Sequence, residues 1–191
     1  MKKKTVIVSV VLMIVVVGVV GMFAYLSGRD RDEKDEATLS NVERVLYRDL
    51  DKNYPATVKE VVKYYSEIVR LFYAEDTTEE EVEKLGLKAR ELFDSELLEK
   101  NDTQFYLMNL KADVRDFNES RRFITNVAVA SSINVDTFQE DGYEFARISC
   151  GYNISEKGVT SQAIIVYLLR KDENRRWKIY GWEDARNVNV Q

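Results

Sequence analysis

Residues 161–184 read SQAIIVYLLRKDENRRWKIYGWED, and they decide the fold. Ile164, Ile165, Val166, Tyr167, Leu168 and Leu169 form an unbroken apolar run, Asp172-Glu173-Asn174 supplies a charged turn, and Trp177, Ile179 and Trp182 resume the run. β-Branched and aromatic residues bounded by turn formers mark strands, and so short a turn joins antiparallel neighbours. The pattern predicts strands over residues 159–170 and 176–182.

The same grammar extends toward the N-terminus. Glu156-Lys157-Gly158 and Glu140-Asp141-Gly142 are further turn signals, short enough for hairpins. They delimit predicted strands over residues 143–154 and 122–132. In the former, Glu144, Ala146, Ile148, Cys150 and Tyr152 alternate with Tyr143, Phe145, Arg147 and Ser149. Both faces carry aromatic groups, so helices are expected on one face of the sheet, with the other partly exposed or shaped as a concave wall.

Before residue 121 the period changes from two to that of a helix. Thr57 with Glu60 forms a capping box, and Val58, Val61, Val62, Tyr65, Ile68, Val69 and Phe72 fall on one face. Thr78 with Glu81 repeats the box, ahead of Val82, Leu85, Ala89, Leu92 and Phe93. Leu107, Leu110, Val114 and Phe117 mark another helix, starting at Asp102 or Thr103, and a short one is expected around Val42, Val45, Leu46 and Leu50. The expected fold is therefore α+β, with three to four helices packed on a curved, four-stranded antiparallel sheet.

Capped amphipathic helices followed by long strands that end in a charged turn and Trp177-Lys178-Ile179 resemble the NTF2-like, cone-shaped α+β superfamily. The likeness covers residues 53–184 and is one of pattern. It implies a sheet wrapped around a cone that hosts isomerases, dehydratases or pure adaptors. DLDKNYPATVKEVVKYYSEIV and KARELFDSELL are similar to small membrane-anchored proteins of clostridial-type Gram-positive bacteria, which implies a bacterial source and no activity. An anchor ahead of such a domain is also the architecture of scaffolds in conjugation and secretion machines.

The N-terminal segment is of another kind. Lys2, Lys3 and Lys4 precede 22 uncharged residues, Thr5 to Leu26. As a helix rising about 1.5 Å per residue they would span a hydrocarbon core. A cleaved signal peptide would have a shorter apolar region and a small-x-small exit, whereas the exit here is Ala24-Tyr25-Leu26-Ser27-Gly28. An uncleaved transmembrane helix is expected, with the lipid bilayer as its partner. The lysines stay cytoplasmic and the remainder is displayed outside, past the mixed-charge run RDRDEKDE. The expected division is a stub and anchor over residues 1–28, an acidic tether over 29–41 and one extracytoplasmic domain over 42–191.

Composition removes several functions. The chain has 28 basic and 33 acidic residues, and three of the basic ones precede the apolar run, so the displayed part is a poor match for a phosphate backbone. No nucleic-acid partner is expected. Histidine is absent, which excludes Ser-His-Asp and Cys-His catalysis and His-ligated zinc. Cys150 is the one cysteine and reads as a small buried hydrophobe. No glycine-rich phosphate loop occurs, and neither a cofactor nor a metal is expected.

If the cone were an enzyme of the ketosteroid-isomerase type, a carboxylate base and a Tyr or acid donor would line it. Tyr65, Tyr106, Tyr143, Asp113 and Asp116 are the residues available, and their spacing selects none of them. No catalytic residue is assigned. The leading expectation is a non-catalytic binding or assembly module that takes a protein partner or a small apolar ligand. Tyr180, Trp182, Glu183 and Arg186 are its candidate contact surface, with Trp177 in the core.

Overall fold

The computed structural model describes residues 39–187. Five α-helices come first: α1 (Asn41–Tyr47), α2 (Val58–Phe72), α3 (Glu79–Arg90), α4 (Ser95–Lys100) and α5 (Thr103–Glu119). Five antiparallel strands follow: β1 (Arg122–Val129), β2 (Asp136–Glu140), β3 (Tyr143–Glu156), β4 (Val159–Lys171) and β5 (Trp177–Asp184). The path is β1-β3-β4-β5, and β2 pairs with β3 beyond the end of β1.

The α+β expectation needs correction on two points. Among the described residues the sheet has five strands, not four, and the α-helices number five rather than three to four. The extra strand, β2, has the sequence DTFQE, with Phe138 as its one large apolar residue, and lies on the sheet's margin. A transmembrane helix was the third element of that expectation. Among the described residues no helix is long and apolar enough to cross a membrane, and Thr5 to Leu26 lie outside them.

Local chemistry sets the element ends. Thr57 and Thr78 accept from the backbone N–H of Glu60 and Glu81, and each glutamate side chain accepts from its cap's N–H, completing both capping boxes. α5 starts at Thr103 because Asp102 accepts from the N–H groups of Gln104 and Phe105. Two hairpins turn through paired left-handed residues: Asp141 and Gly142 (φ 50° and 82°) and Lys157 and Gly158 (φ 51° and 84°). Two positive φ values in a two-residue loop match the right-handed twist of the strands and fix the register Glu140↔Tyr143 and Glu156↔Val159.

The core lies between the helices and one face of the sheet. α2 contributes Val61, Val62, Tyr65, Ile68 and Phe72, all buried, against Ala146, Ile148, Cys150 and Tyr152 of β3. Each large aliphatic side chain so buried stabilises the fold by about 1.5–3 kcal/mol. Gly86 of α3 lets α5 come close, since a Cβ there would lie 2.8 Å from Leu107 Cδ2.

Two bulges shape the sheet, in β1 between Ile124 and Asn126 and in β5 at Tyr180, opposite Leu168 and Leu169. Each inserts one residue, bends its strand and inverts the alternation beyond it. Trp177 and Ile179 therefore face the core, Tyr180 faces away, and Trp182 returns to the helical side.

An ionic clasp joins the helices to the sheet. Arg170, on the face opposite the helices, donates from Nε and Nη2 to Asp94 (3.0 and 2.5 Å) and from Nη1 to Glu96 (2.5 Å). Its guanidinium lies 4.6 and 4.9 Å from the ring centroids of Tyr143 and Tyr180. Asp94 also caps α4 by accepting from Glu96 N–H. Its own N–H donates to the Ile179 carbonyl while Ile179 N–H donates to Leu92, so the 92–94 segment covers the outer edge of β5.

Arg170→Leu leaves the buried Asp94 carboxylate without its cation, and the expected loss is about 3–5 kcal/mol in urea unfolding of the full chain followed by tryptophan fluorescence. Hydrogen bonds from Arg170 and then Tyr180 hold the Glu96 carboxyl below its ordinary value, against a smaller opposing effect of burial. A folded-state value below the unfolded one stabilises above about pH 4.3 and is lost as pH falls through the folded value. Glu96→Gln should flatten that acid limb of the stability profile.

Candidate functional site

Between the helices and the sheet is a cavity of about 450 Å³, within the range of small-molecule sites, roughly 300–1,000 Å³. α2 presents Tyr65, Val69 and Phe72 to it at helical spacing, with Tyr73 just beyond. α5 presents Tyr106, Leu110, Asp113 and Phe117, one stripe at intervals of four, three and four, with Asn109 beside it. The sheet adds Ile124, Tyr152, Ile154, Ala163, Ile165, Tyr167 and Trp182, the inward side chains of β1, β3, β4 and β5. Trp182 is there only because the β5 bulge reverses the strand's phase.

The rings of the lining fall into two groups. Tyr65 lies 5.7 Å from Tyr167, nearly perpendicular, and 5.9 Å from Trp182, while Tyr73 and Phe117 lie 4.4 Å apart. Trp182 remains 44% exposed, which makes it a wall of the cavity rather than a core residue; Trp177, at 8%, is core. Asp113 and Asn109 are exposed at the mouth.

A buried hydroxyl relay runs behind the wall. Tyr152 donates to Ser66 Oγ at 2.9 Å, and its oxygen is 2.7 Å from that of Tyr167. A phenol has one proton, so Tyr167 donates to Tyr152. Ser66 Oγ is 3.4 Å from Cys150 Sγ. Burial holds the hydroxyls of Tyr65, Tyr106, Tyr152 and Tyr167 above the ordinary phenol value, and for Tyr73 the Asp113 charge adds to burial. These phenols stay neutral and offer hydrogen bonds and ring faces, not bases. Burial also raises the Cys150 thiol, against opposing hydrogen bonds from Ser66 and Tyr152, so it is an inert core group.

The residues singled out in the sequence are divided by the fold. Tyr65, Tyr106 and Asp113 share the cavity; Asp116 is exposed outside it, and Tyr143 stacks on Arg170 across the sheet. No second carboxylate stands with Asp113 in the lining. Among the described residues no group of three or more acidic or thiol side chains converges as a metal ion would require.

The candidate contact surface is also divided. Trp182 borders the cavity, whereas Tyr180 packs on Phe145 and donates to Glu96 on the other face. Glu183 pairs in register with Val166, and Arg186 is an exposed residue closed on Asp184 at 2.6 Å. The four do not make one surface. Phe72, Tyr73, Asn109, Phe117, Tyr152 and Tyr167 are among the lining residues that sequence reasoning did not select for a site, although the inward phase of β3 and the α5 stripe carried the signal for several of them.

The chain matches, over residues 1–182, a family described as Domain of unknown function (DUF6715). It belongs to that family. No curated protein matches it.

The relay gives two expectations. Tyr152→Phe strips Tyr167 and Ser66 of a partner and should cost about 1–3 kcal/mol in urea unfolding. Cys150 should resist a small maleimide in the folded chain and react fully once urea unfolds it. Reaction at the rate of a free thiol under native conditions would contradict the burial.

Proposed function

We propose that this chain is a membrane-held binding module, displayed outside the cytoplasm, whose cavity takes a small, mainly apolar ligand. The cavity carries the proposal: about 450 Å³, lined largely by aromatic and aliphatic side chains, with polar groups gathered at its mouth. An alternating sheet packed on amphipathic helices would ordinarily fill such a space. Here the bulged strands hold it open, beside a Trp182 left half in solvent.

Membrane attachment rests on the sequence. The uncharged run from Thr5 to Leu26 has bilayer length, and the lysines before it favour a cytoplasmic N-terminus. The NTF2-like kinship is part of the same proposal, supported by helices layered on one face of an antiparallel sheet with a cavity between them. Binding is favoured over catalysis because the buried hydroxyls are held neutral and the one carboxylate of the lining is exposed to water.

The full chain in phosphatidylglycerol nanodiscs, irradiated with a neutral aryl-diazirine probe and mapped by peptide mass spectrometry, provides the test. Labelling is expected on the peptides holding Tyr65–Tyr73 and Tyr106–Phe117 and should be lost in Ala163→Trp, which fills the cavity, with circular dichroism unchanged. Labelling elsewhere only, or labelling that Ala163→Trp leaves intact, contradicts the proposal.

A further inference from the structure

The cavity's lining has a sign. Eight of its seventeen residues are aromatic, and none is lysine or arginine. Aromatic faces carry the negative side of the ring quadrupole, so they attract a cation and give an anion nothing. The one charged group of the lining is Asp113, which makes no ion pair among the described residues. Tyr73 and Phe117 line the same cavity as Asp113. Phe117, one helical turn beyond Asp113, lies 4.4 Å from Tyr73 between ring centroids, the two planes tilted by 42°. The mouth thus brings together a carboxylate and two ring faces.

Of the remaining polar groups, Tyr152 and Tyr167 agree with that sign, while the hydroxyls of Tyr65, Tyr73 and Tyr106 and the Asn109 amide carry donors of their own. The phenolic protons of Tyr152 and Tyr167 are committed to the relay, so their oxygens can only accept from a ligand. Asn101 commits a side-chain N–H to the Leu97 carbonyl. The Arg90 guanidinium lies 5.3 Å from the centroid of the lining ring Tyr106 while donating to the Asn101 backbone carbonyl, and is not itself part of the lining. An anionic ligand would find no basic side chain in the lining, and a neutral one would leave the mouth carboxylate unused.

From this juxtaposition we infer that the ligand is a small organic cation, an ammonium group on an apolar body, with the ammonium held between Asp113 and the rings of Tyr73 and Phe117 and the body on Tyr65, Ile165 and Trp182. This rests on the proposal that the cavity binds a ligand at all. A primary or a quaternary ammonium suits the site, because rings and a carboxylate recognise the charge without needing N–H donors.

Competition against the same photolabelling separates the two claims. The competitors are benzyltrimethylammonium, its uncharged isostere neopentylbenzene, and phenylacetate, with phosphatidylglycerol discs chosen so that no ammonium headgroup competes. Benzyltrimethylammonium should protect the cavity peptides at a concentration about tenfold lower than neopentylbenzene, and phenylacetate should not protect. Asp113→Asn should remove most of that preference while neopentylbenzene competes as before, and 0.5 M salt should weaken it because the mouth is exposed. If neopentylbenzene matches the cation, or Asp113→Asn leaves the preference intact, the cation assignment falls and the binding cavity stands. Absence of cavity labelling by the diazirine itself removes both.

Discussion

The pairing of Arg170 with Asp94 is the constraint on which the rest of the structure depends. The two residues lie 76 positions apart, one in β4 and the other in the segment after α3, and both are buried. A buried charge is tolerated only if it is paired and hydrogen-bonded, so neither can move without the other. Their contact draws the 92–96 segment against β5 and covers its open edge. It starts α4, which leads into α5, the helix that closes one side of the cavity. The stack of Tyr143, Arg170 and Tyr180 also gives the far face of the sheet an ordered layer of its own.

The bulges turn that clasp into a cavity. A regular five-stranded sheet would keep Tyr180 and Trp182 on one face. One extra residue in β5 parts them, sending Tyr180 to the clasp and Trp182 to the helices, and the β1 bulge similarly places Ile124 and Val127 on the same side. Bulges on the first and last strands of the main path bend the sheet around α2 and α5. Space that straight strands would have closed is left lined with rings.

Most of the local structure was legible in the sequence, because capping boxes, helical stripes and two-residue turns are short-range chemistry. Thr57, Thr78 and Asp102 start their helices as their side chains require, and Lys157-Gly158 sets the longest hairpin. The misses were of two kinds. β2 was missed because DTFQE has one large apolar residue and draws its stability from pairing with β3, which its own pattern does not reveal. The division of Tyr180 and Trp182 between the two faces was not legible, because no local signal announces the bulge at Tyr180. Arg170 was likewise invisible as a clasp, since its partners come from a distant segment. Tyr65, Tyr106 and Asp113 were recognised as available, but only the packing of α2 against α5 brings them to one cavity and leaves Tyr143 and Asp116 out of it.

The central claim is that this cavity is a ligand site rather than a packing defect. Native mass spectrometry of the full chain, purified from the cells that make it, addresses it directly. The account predicts a population carrying a small-molecule mass in the wild-type chain, and the bare polypeptide mass alone when Ala163→Trp fills the space. A bare mass in both, from cells grown under varied conditions, would contradict it.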